Sequence, residues 1–438
     1  MVTNFWLLWP VLVFGGCVAG QGVRGVSTPG LSDGDRPFLP PITATDSVKI
    51  TGALSADRAV AVAFAHGNRM QLLAAELELA GAERAEYGRI DDPVLGGKLG
   101  KSPHGSALEL EIHQEVSQFI LRPARTLLGD AEFAAARERI SGRARAEAMA
   151  VRIAYYDVLR KYIDTATLRL LVESVEAAFA LAQTLHEAGN ISELELATRQ
   201  ESFESARLEL ARSESAAAAQ RELLNALMGV WGHDTQWTLP DHLPSLPEEK
   251  FDIVDLEARA VANRADLHVA KFEQEASGRA LAIARTERWI GGMELGLSAE
   301  REEGTWTFGP SFAVRLPLFS GAEVRRRRAD YLRAQQALAV QAVEIRAEVR
   351  AARERLLAAR ERVAHYRDVL LPLKQRIVRL VQREYNFMLS SPFDLLDARR
   401  AEIAAQREHI SALGDYWIAR VQLQAAIGEK LASTTGEN

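Results

Sequence analysis

The sequence predicts a mainly α chain with a small β part: duplicated long-helix coiled-coil hairpins with four strands per chain. Three observations predict it. Two stretches of the chain repeat each other at a constant offset. Short segments in both copies alternate apolar and polar residues. A seven-residue apolar repeat runs through the longest helical stretch.

The duplication comes first, because missing a repeat misreads the whole fold. AGNISELELATRQ (188–200) leads to LLNALMG (223–229), and FMLSSPFDLLDAR (387–399) leads to LQAAIG (423–428). Ser192 and Ser391 are 199 apart, and so are Gly229 and Gly428. NRMQLLAAELELA (68–80) pairs with RADLHVAKFEQEA (264–276) at a similar offset. The chain therefore divides into a first repeat, 48–230, a Pro-rich connector, 231–249, a second repeat, 250–430, and a tail, 431–438. Each copy has the order helix, strand pair, very long helix, turn, long helix.

Alternation marks the strands. In the second copy Met293, Leu295 and Leu297 alternate with Glu294, Gly296 and Ser298; Phe312, Val314, Leu316 and Leu318 alternate with Ser311, Ala313 and Arg315. Period two with one apolar face is a strand with one side in an oily medium. The expected strands are 293–299 and 308–319. In the first copy Leu108, Leu110 and Ile112 alternate with Glu109, Glu111 and His113, and the strand before it falls near 93–100. Four strands cannot close a barrel, and an open edge in lipid leaves backbone groups unpaired. Several chains sharing one barrel solve this.

The long helix of the second copy is expected over about 321–388, on the order of 100 Å. Val349, Leu356, Val363, Leu370 and Ile377 recur every seven residues, as do Ile345, Ala352, Ala359, Tyr366, Leu373 and Leu380. A sustained heptad implies a left-handed supercoiled seam. Pro372 within it is expected to kink the helix.

Composition fits this reading and excludes others. The 438 residues are 47% hydrophobic and 26% charged, enough to bury a core. With 53 Lys+Arg against 59 Asp+Glu, the net charge of −6 argues against nucleic acid as a partner. A single Cys, Cys17, excludes a disulfide framework and a thiolate zinc site. Residues 1–20 read as a signal peptide of lipoprotein type: the apolar run 5–20 is short and broken by Pro10, and Gly15-Gly16 precede Cys17, the expected lipidation site. Residues 21–47, rich in Gly, Pro and Ser, form an extended linker.

The duplicated order, the junction LPLFSGAEVRRRR (316–328), the turn before SPFDLLDARR (391–400) and the copy ends at Gly229 and Gly428 resemble the TolC-type outer-membrane efflux family. The pieces NRADLHVAK, VRLPLF and YRDVLLP look most like its heavy-metal (cobalt-zinc-cadmium/copper) branch. This likeness implies a homotrimer with a twelve-stranded β-barrel in the outer membrane and an α-helical tunnel in the periplasm. The implied partners are a periplasmic adaptor (membrane fusion protein), an inner-membrane pump and outer-membrane lipid, with no cofactor. The expected role is a passive exit duct of a tripartite efflux system, with heavy-metal cations as one candidate cargo. The alternative is a soluble periplasmic coiled-coil scaffold or adaptor, which explains the heptads but not the oily strands.

The candidate site residues lie mainly at the turns between the long helices. Ser192 with Glu195, and Ser391-Pro392 with Asp394, read as helix starts in which the Ser caps free N–H groups and the acid reaches back. In the family these turns form the periplasmic tip, so Gly189, Ser192, Glu195, Ser391 and Pro392 are implied adaptor contacts. Asp394 and Asp397 match a DxxD pattern that rings the closed aperture in related channels. The usual tip Gly is Met388 in the second copy. Phe312, Val314, Leu316 and Leu318 are the expected lipid-facing barrel residues. The run Arg325–Arg328 points around all helix faces and reads as a charged collar below the barrel. The nine His show no helical i,i+4 pair and no HExxH, and Walker A, GxSxG and strand–helix GxGxxG patterns are absent, so no catalytic or fixed metal site is expected.

Overall fold

The computed structural model describes residues 52–102, 105–247, 255–302, 304–315 and 321–429. Cys17, the leader, Leu316, Leu318 and the tail lie outside the described residues. The first half contains α1 (Ala56–His66), α2 (Asn68–Tyr87), β1 (Val94–Ser102), β2 (Gly105–Glu115), α3 (Ser117–Glu187) and α4 (Glu193–Met228). The second contains α5 (Leu256–Asn263), α6 (Ala265–Ile290), β3 (Met293–Glu302), β4 (Thr305–Val314), α7 (Gly321–His365), a π-helical turn (Tyr366–Leu370), α8 (Leu371–Asn386) and α9 (Pro392–Ile427).

The two halves match in backbone detail. Helices α4 and α9 are each 36 residues long. Their N-caps, Ser192 and Ser391, have φ −77° and −78°. Both helices end on left-handed glycines, Gly229 at φ 72° and Gly428 at φ 80°. These two glycines are required twice over. A Cβ on Gly229 would stand 2.9 Å from Gly67 Cα, and one on Gly428 would stand 3.0 Å from the Asn263 carbonyl oxygen. Each long helix thus ends against the junction of the two shorter helices in its own half.

Helix α3 has 71 residues, a span of about 105 Å. It packs against α4 on one side and α9 on the other, and α9 packs against α7 and α8. The lower bundle therefore reads in the order α4, α3, α9, α8. Higher up, α6 lies against α3 and α7.

The main core sits at mid-height, where α1, α5 and the connector close around the long helices. Leu159, Leu224, Ile345, Tyr416 and Ile427 are buried there. The connector is held as a strap. Leu54 N donates to Thr238 O at 2.8 Å, Trp237 Nε1 donates to Asn225 Oδ1 at 2.8 Å, and the Arg221 guanidinium lies 3.8 Å over the Trp237 ring. Trp417 Nε1 donates to Pro244 O at 2.8 Å.

The heptad expectation needs one correction. Ile345, Val349, Ala352, Leu356, Ala359 and Val363 are buried as the repeat requires. Beyond Leu370 the pattern leaves the core: Leu373, Ile377 and Leu380 are exposed and Val378 is buried instead. The cause is the π-turn, which adds about one residue to the helical count and rotates α8 relative to α7. Pro372 sits in the first turn after it, where its missing N–H costs least. The kink is thus a π-bulge followed by proline. The strand expectation also shifts: β4 begins at Thr305, paired with Glu302 across its hairpin, and ends at Val314.

Candidate functional site: a one-faced sheet and a charged helical tip

Strand pairing puts the large apolar strand residues on one face, with Arg301 and Gln114 among them; Val94, level with His113, Gly296 and Ser311, is the exception on the other face. The order is β1-β2-β3-β4, all antiparallel, so β1 and β4 are edges within the chain. Leu95, Ile112, Leu297 and Pro310 stand in one row; Leu110, Ala299 and Phe308 stand in the next but one. The row between them carries Glu111 and Ser298, and the row beyond Leu110 carries Lys98, Glu109, Glu300 and Thr307. The structure brings Phe312 and Val314 to the apolar face, and Phe312 is 80% exposed. Leu99 on β1 is 84% exposed.

An apolar sheet face open on this scale is a lipid or protein contact, because water-facing patches are normally small. The strands are 9, 11, 10 and 10 residues long. Tilted strands of about 9–11 residues cross a bilayer core. Aromatic residues mark both ends. Trp306 stacks on Phe308 with centroids 6.0 Å apart near the hairpins, and exposed Trp289 and Phe119 lie beside the strand bases. Trp at both borders suits a membrane interface. Sequence reasoning missed these two Trp residues, although their position at strand ends was a usable signal. At the base, Glu115 accepts hydrogen bonds from Ser117 Oγ, Gln118 Nε2 and Gly292 N, tying β2 to the start of β3. The Arg325–Arg328 run lies in the first turns of α7, just after β4, and Glu323 pairs with Arg327 at 2.8 Å. Among the described residues no helix is long and apolar enough to cross a membrane.

The opposite end of the bundle is the pair of turns α3–α4 and α8–α9. Gly189 takes φ 76°, and Met388, at the same place in the second copy, takes φ 59°. A non-glycine residue there carries strain of about 1–2 kcal/mol, so the turn geometry is kept despite Met388. Ser391 forms a full capping box: Asp394 N donates to Ser391 Oγ at 3.1 Å, and Ser391 N donates to Asp394 Oδ2 at 2.8 Å. Pro392 occupies the first helical turn. The Asp394 carboxyl is held below its ordinary range, first by the Ser391 hydroxyl, then by the Ser391 amide and the Ser390 hydroxyl.

The first copy differs. Glu195 N donates to Ser192 Oγ at 3.2 Å, but the Glu195 carboxylate does not reach back as expected. It turns to Arg199, one helical turn on, at 2.8 Å. Arg199 also donates to both oxygens of Asp397 at 3.1 Å and lies 4.5 Å over the Phe393 ring. One guanidinium thus ties the two tips together and pairs with two predicted site residues. Sequence reasoning missed Arg199; its i,i+4 spacing from Glu195 was the available signal. Farther up, Arg407 pairs with Asp164 at 2.8 Å and with Glu209 at 2.6 Å, fastening α9 to α3 and α4.

The NRADLHVAK piece is a structural clamp. Arg264 pairs with Asp266 at 2.6 Å and Glu348 at 2.9 Å and donates to Ala426 O, while Asn263 Nδ2 donates to Glu429. Burial opposes ionisation of Asp266, yet the Arg264 hydrogen bond and charge outweigh it and hold the carboxyl below its usual range. An unfolded Asp titrates near 3.9. A depressed folded value stabilises above that pH and is lost as pH falls through the folded value. Thermal melts should therefore show Asp266→Asn less stable than wild type at pH 6, with the gap closing below about pH 4.

Among the described residues no three of His, Cys, Asp and Glu gather as a metal would require.

Comparison with known proteins agrees with this geometry. The family model described as "Outer membrane efflux protein" matches residues 256–429. No curated protein matches the chain. Among solved structures, a membrane protein from Pseudomonas aeruginosa is 19% identical with a TM-score of 0.71, covering 89% of this chain and 98% of its own. The outer membrane protein VceC of Vibrio cholerae is 18% identical with a TM-score of 0.70, covering 86% and 97%. The CmeC outer membrane channel of Campylobacter jejuni is 16% identical with a TM-score of 0.71, covering 87% of each. The chain thus matches the outer membrane efflux protein family over residues 256–429 and has the fold of outer-membrane channels across both of its halves.

Proposed function

We propose that this chain is the outer-membrane channel-tunnel of a tripartite efflux system, a passive exit duct fed by an inner-membrane pump through a periplasmic adaptor. One observation carries the reading: a four-stranded sheet with one apolar face and two open edges stands at the end of a bundle about 105 Å long. Three chains give twelve strands, pair every edge and turn the apolar face outward to lipid. Outer membrane efflux proteins are channels, not enzymes, and the energy comes from the partner pump. A soluble scaffold leaves Leu99, Phe308 and Phe312 in water without a reason. Membrane fractionation tests this: the protein should stay with the outer membrane through a high-salt wash, and release by salt would favour the scaffold.

The inward face of such a barrel carries Glu109, Glu111, Glu294 and Glu300 against Lys98. Rings of carboxylates favour cations. That lining, with the heavy-metal likeness of the sequence, supports metal cations as cargo. An acyl chain on Cys17 belongs to the same proposal and rests on Gly15-Gly16-Cys17 alone; mass spectrometry of the mature protein should find it.

At the tip, Asp394 and Asp397 are proposed to line the aperture, with Gly189, Ser192, Glu195, Ser391 and Pro392 presenting the turns to the adaptor. Arg199 then offsets the charge of Asp397 in each chain. Single-channel recording should show Arg199→Ala strengthening block by divalent cations several-fold, because Asp397 is unmasked. Adding Asp397→Asn should remove that gain, and unchanged block in both variants takes Asp397 out of the aperture.

A further inference from the structure

We infer that four arginines at the foot of the sheet, Arg285, Arg288, Arg325 and Arg328, hold the phosphates of anionic phospholipids in the periplasmic leaflet of the outer membrane. The inference deepens the channel reading and rests on it. Helices α6 and α7 pack antiparallel, and Gln274 Nε2 donates to Tyr331 Oη at 3.2 Å where they meet. A Cβ on Gly278 would stand 3.3 Å from the same Tyr331 ring. Seven residues toward the sheet from that contact stand Arg285 on α6 and Val324 on α7. Arg285 and Arg288 are three residues apart and share one face of α6, as Arg325 and Arg328 share one face of α7. The four therefore flank the α6–α7 seam within about 10 Å of height.

All four are exposed, and among the described residues no carboxylate pairs with any of them. Their neighbours behave differently. Glu323 holds Arg326 at 3.7 Å and Arg327 at 2.8 Å, and Glu287 holds Arg125 at 3.1 Å. The acids at this height are thus committed to other arginines. Four cations gathered this closely repel one another, and a ring of like chains repeats the cluster around the channel. Such a belt calls for anions from outside the chain.

Position selects the anion. Strand β3 begins at Met293, five residues after Arg288, and α7 begins at Gly321, seven residues after the end of β4. Trp289 is 66% exposed, and the Arg288 guanidinium lies 5.3 Å from its ring centroid. Exposed Trp at a strand base marks the border of the hydrocarbon, where headgroups lie. The long helices leave the sheet from this end, so in the proposed channel the border is the periplasmic one. Guanidinium forks match phosphate oxygens in pairs, and basic clusters at a membrane surface draw anionic lipid. A free phosphate gains nothing from the aromatic residues. A phospholipid sets its acyl chains beside Trp289 and exposed Phe119 and its phosphate among the arginines.

Native mass spectrometry of the purified, delipidated full-length oligomer tests this, with phosphatidylglycerol or phosphatidylcholine added. Wild type should retain phosphatidylglycerol about tenfold over phosphatidylcholine. Changing Arg285, Arg288, Arg325 and Arg328 together to Gln should bring the two lipids close to parity. Arg285→Gln with Arg288→Gln, and Arg325→Gln with Arg328→Gln, should each give a partial loss, and these pairs decide the matter if the quadruple variant does not assemble. Arg376→Gln, Arg379→Gln and Arg383→Gln, three exposed arginines on α8 near the tip, should leave the preference intact. An intact oligomer that retains both lipids equally, or a preference unchanged in the foot variants, overturns the lipid site and leaves the channel standing. Equal loss in the α8 variant overturns its placement. Displacement of the lipid by an equal concentration of inorganic phosphate overturns the lipid in favour of the free anion. Absence of any oligomer in wild type overturns the channel reading and this one with it.

Discussion

Phe312→Arg is expected to abolish membrane assembly, while Ala313→Arg is tolerated. The two neighbours point to opposite faces of β4: Phe312 shares its row with Leu295, and Ala313 shares its row with Glu294. On the lipid face of the proposed barrel an arginine costs up to about 2–4 kcal/mol, less toward the borders, and a ring of three chains meets that cost three times. An arginine on the lumen side keeps its water. Heat-modifiable oligomer in outer-membrane extracts measures the difference. The reverse ranking would mean that the sheet is inside out, since a one-residue slip exchanges the faces.

The second large effect is expected at Gly428→Ala. The left-handed backbone costs an L-residue about 1–2 kcal/mol, and crowding adds about 1–3 kcal/mol. The new Cβ would stand 3.0 Å from the Asn263 carbonyl oxygen, and backbone there cannot swing aside as a side chain could. Asn263 and Arg264 also hold Glu429 and the end of α9, so the strain reaches the clamp. Gly189→Ala shares the left-handed backbone but meets nothing within 4 Å, so it isolates the conformational part. Denaturant unfolding should rank Gly428→Ala well below Gly189→Ala. Equal losses would mean that the close approach to Asn263 contributes nothing.

Much of the fold was legible in the sequence because the signals are periodic or repeated. The offset of 199 links Ser192 to Ser391 and Gly229 to Gly428, and these pairs share cap type and backbone angles. Alternation placed Phe312 and Val314 on the apolar face. The features that stayed hidden depend on contacts between distant segments or on a local break in a period. No pattern announces that Arg199 joins Glu195 to Asp397, because its partner lies 198 residues away. The π-turn at Tyr366–Leu370 was hidden too. A heptad read through it continues smoothly on paper, while in space Leu373, Ile377 and Leu380 turn outward. Pro372 pointed to a disturbance but not to its kind. At the tip the capping sequence was readable twice, yet only Asp394 closes the box, because Glu195 has a closer guanidinium.

As proposed above, several copies share one water-filled barrel through a membrane. Planar-bilayer recording of the purified oligomer tests it most directly. Stepwise conductance is expected, with cations preferred over anions because carboxylates outnumber basic groups on the polar sheet face. The preference should fall when Glu109 and Glu300 are both changed to Gln. An oligomer that is intact by native mass spectrometry, inserts into the bilayer and passes no current would overturn the shared channel.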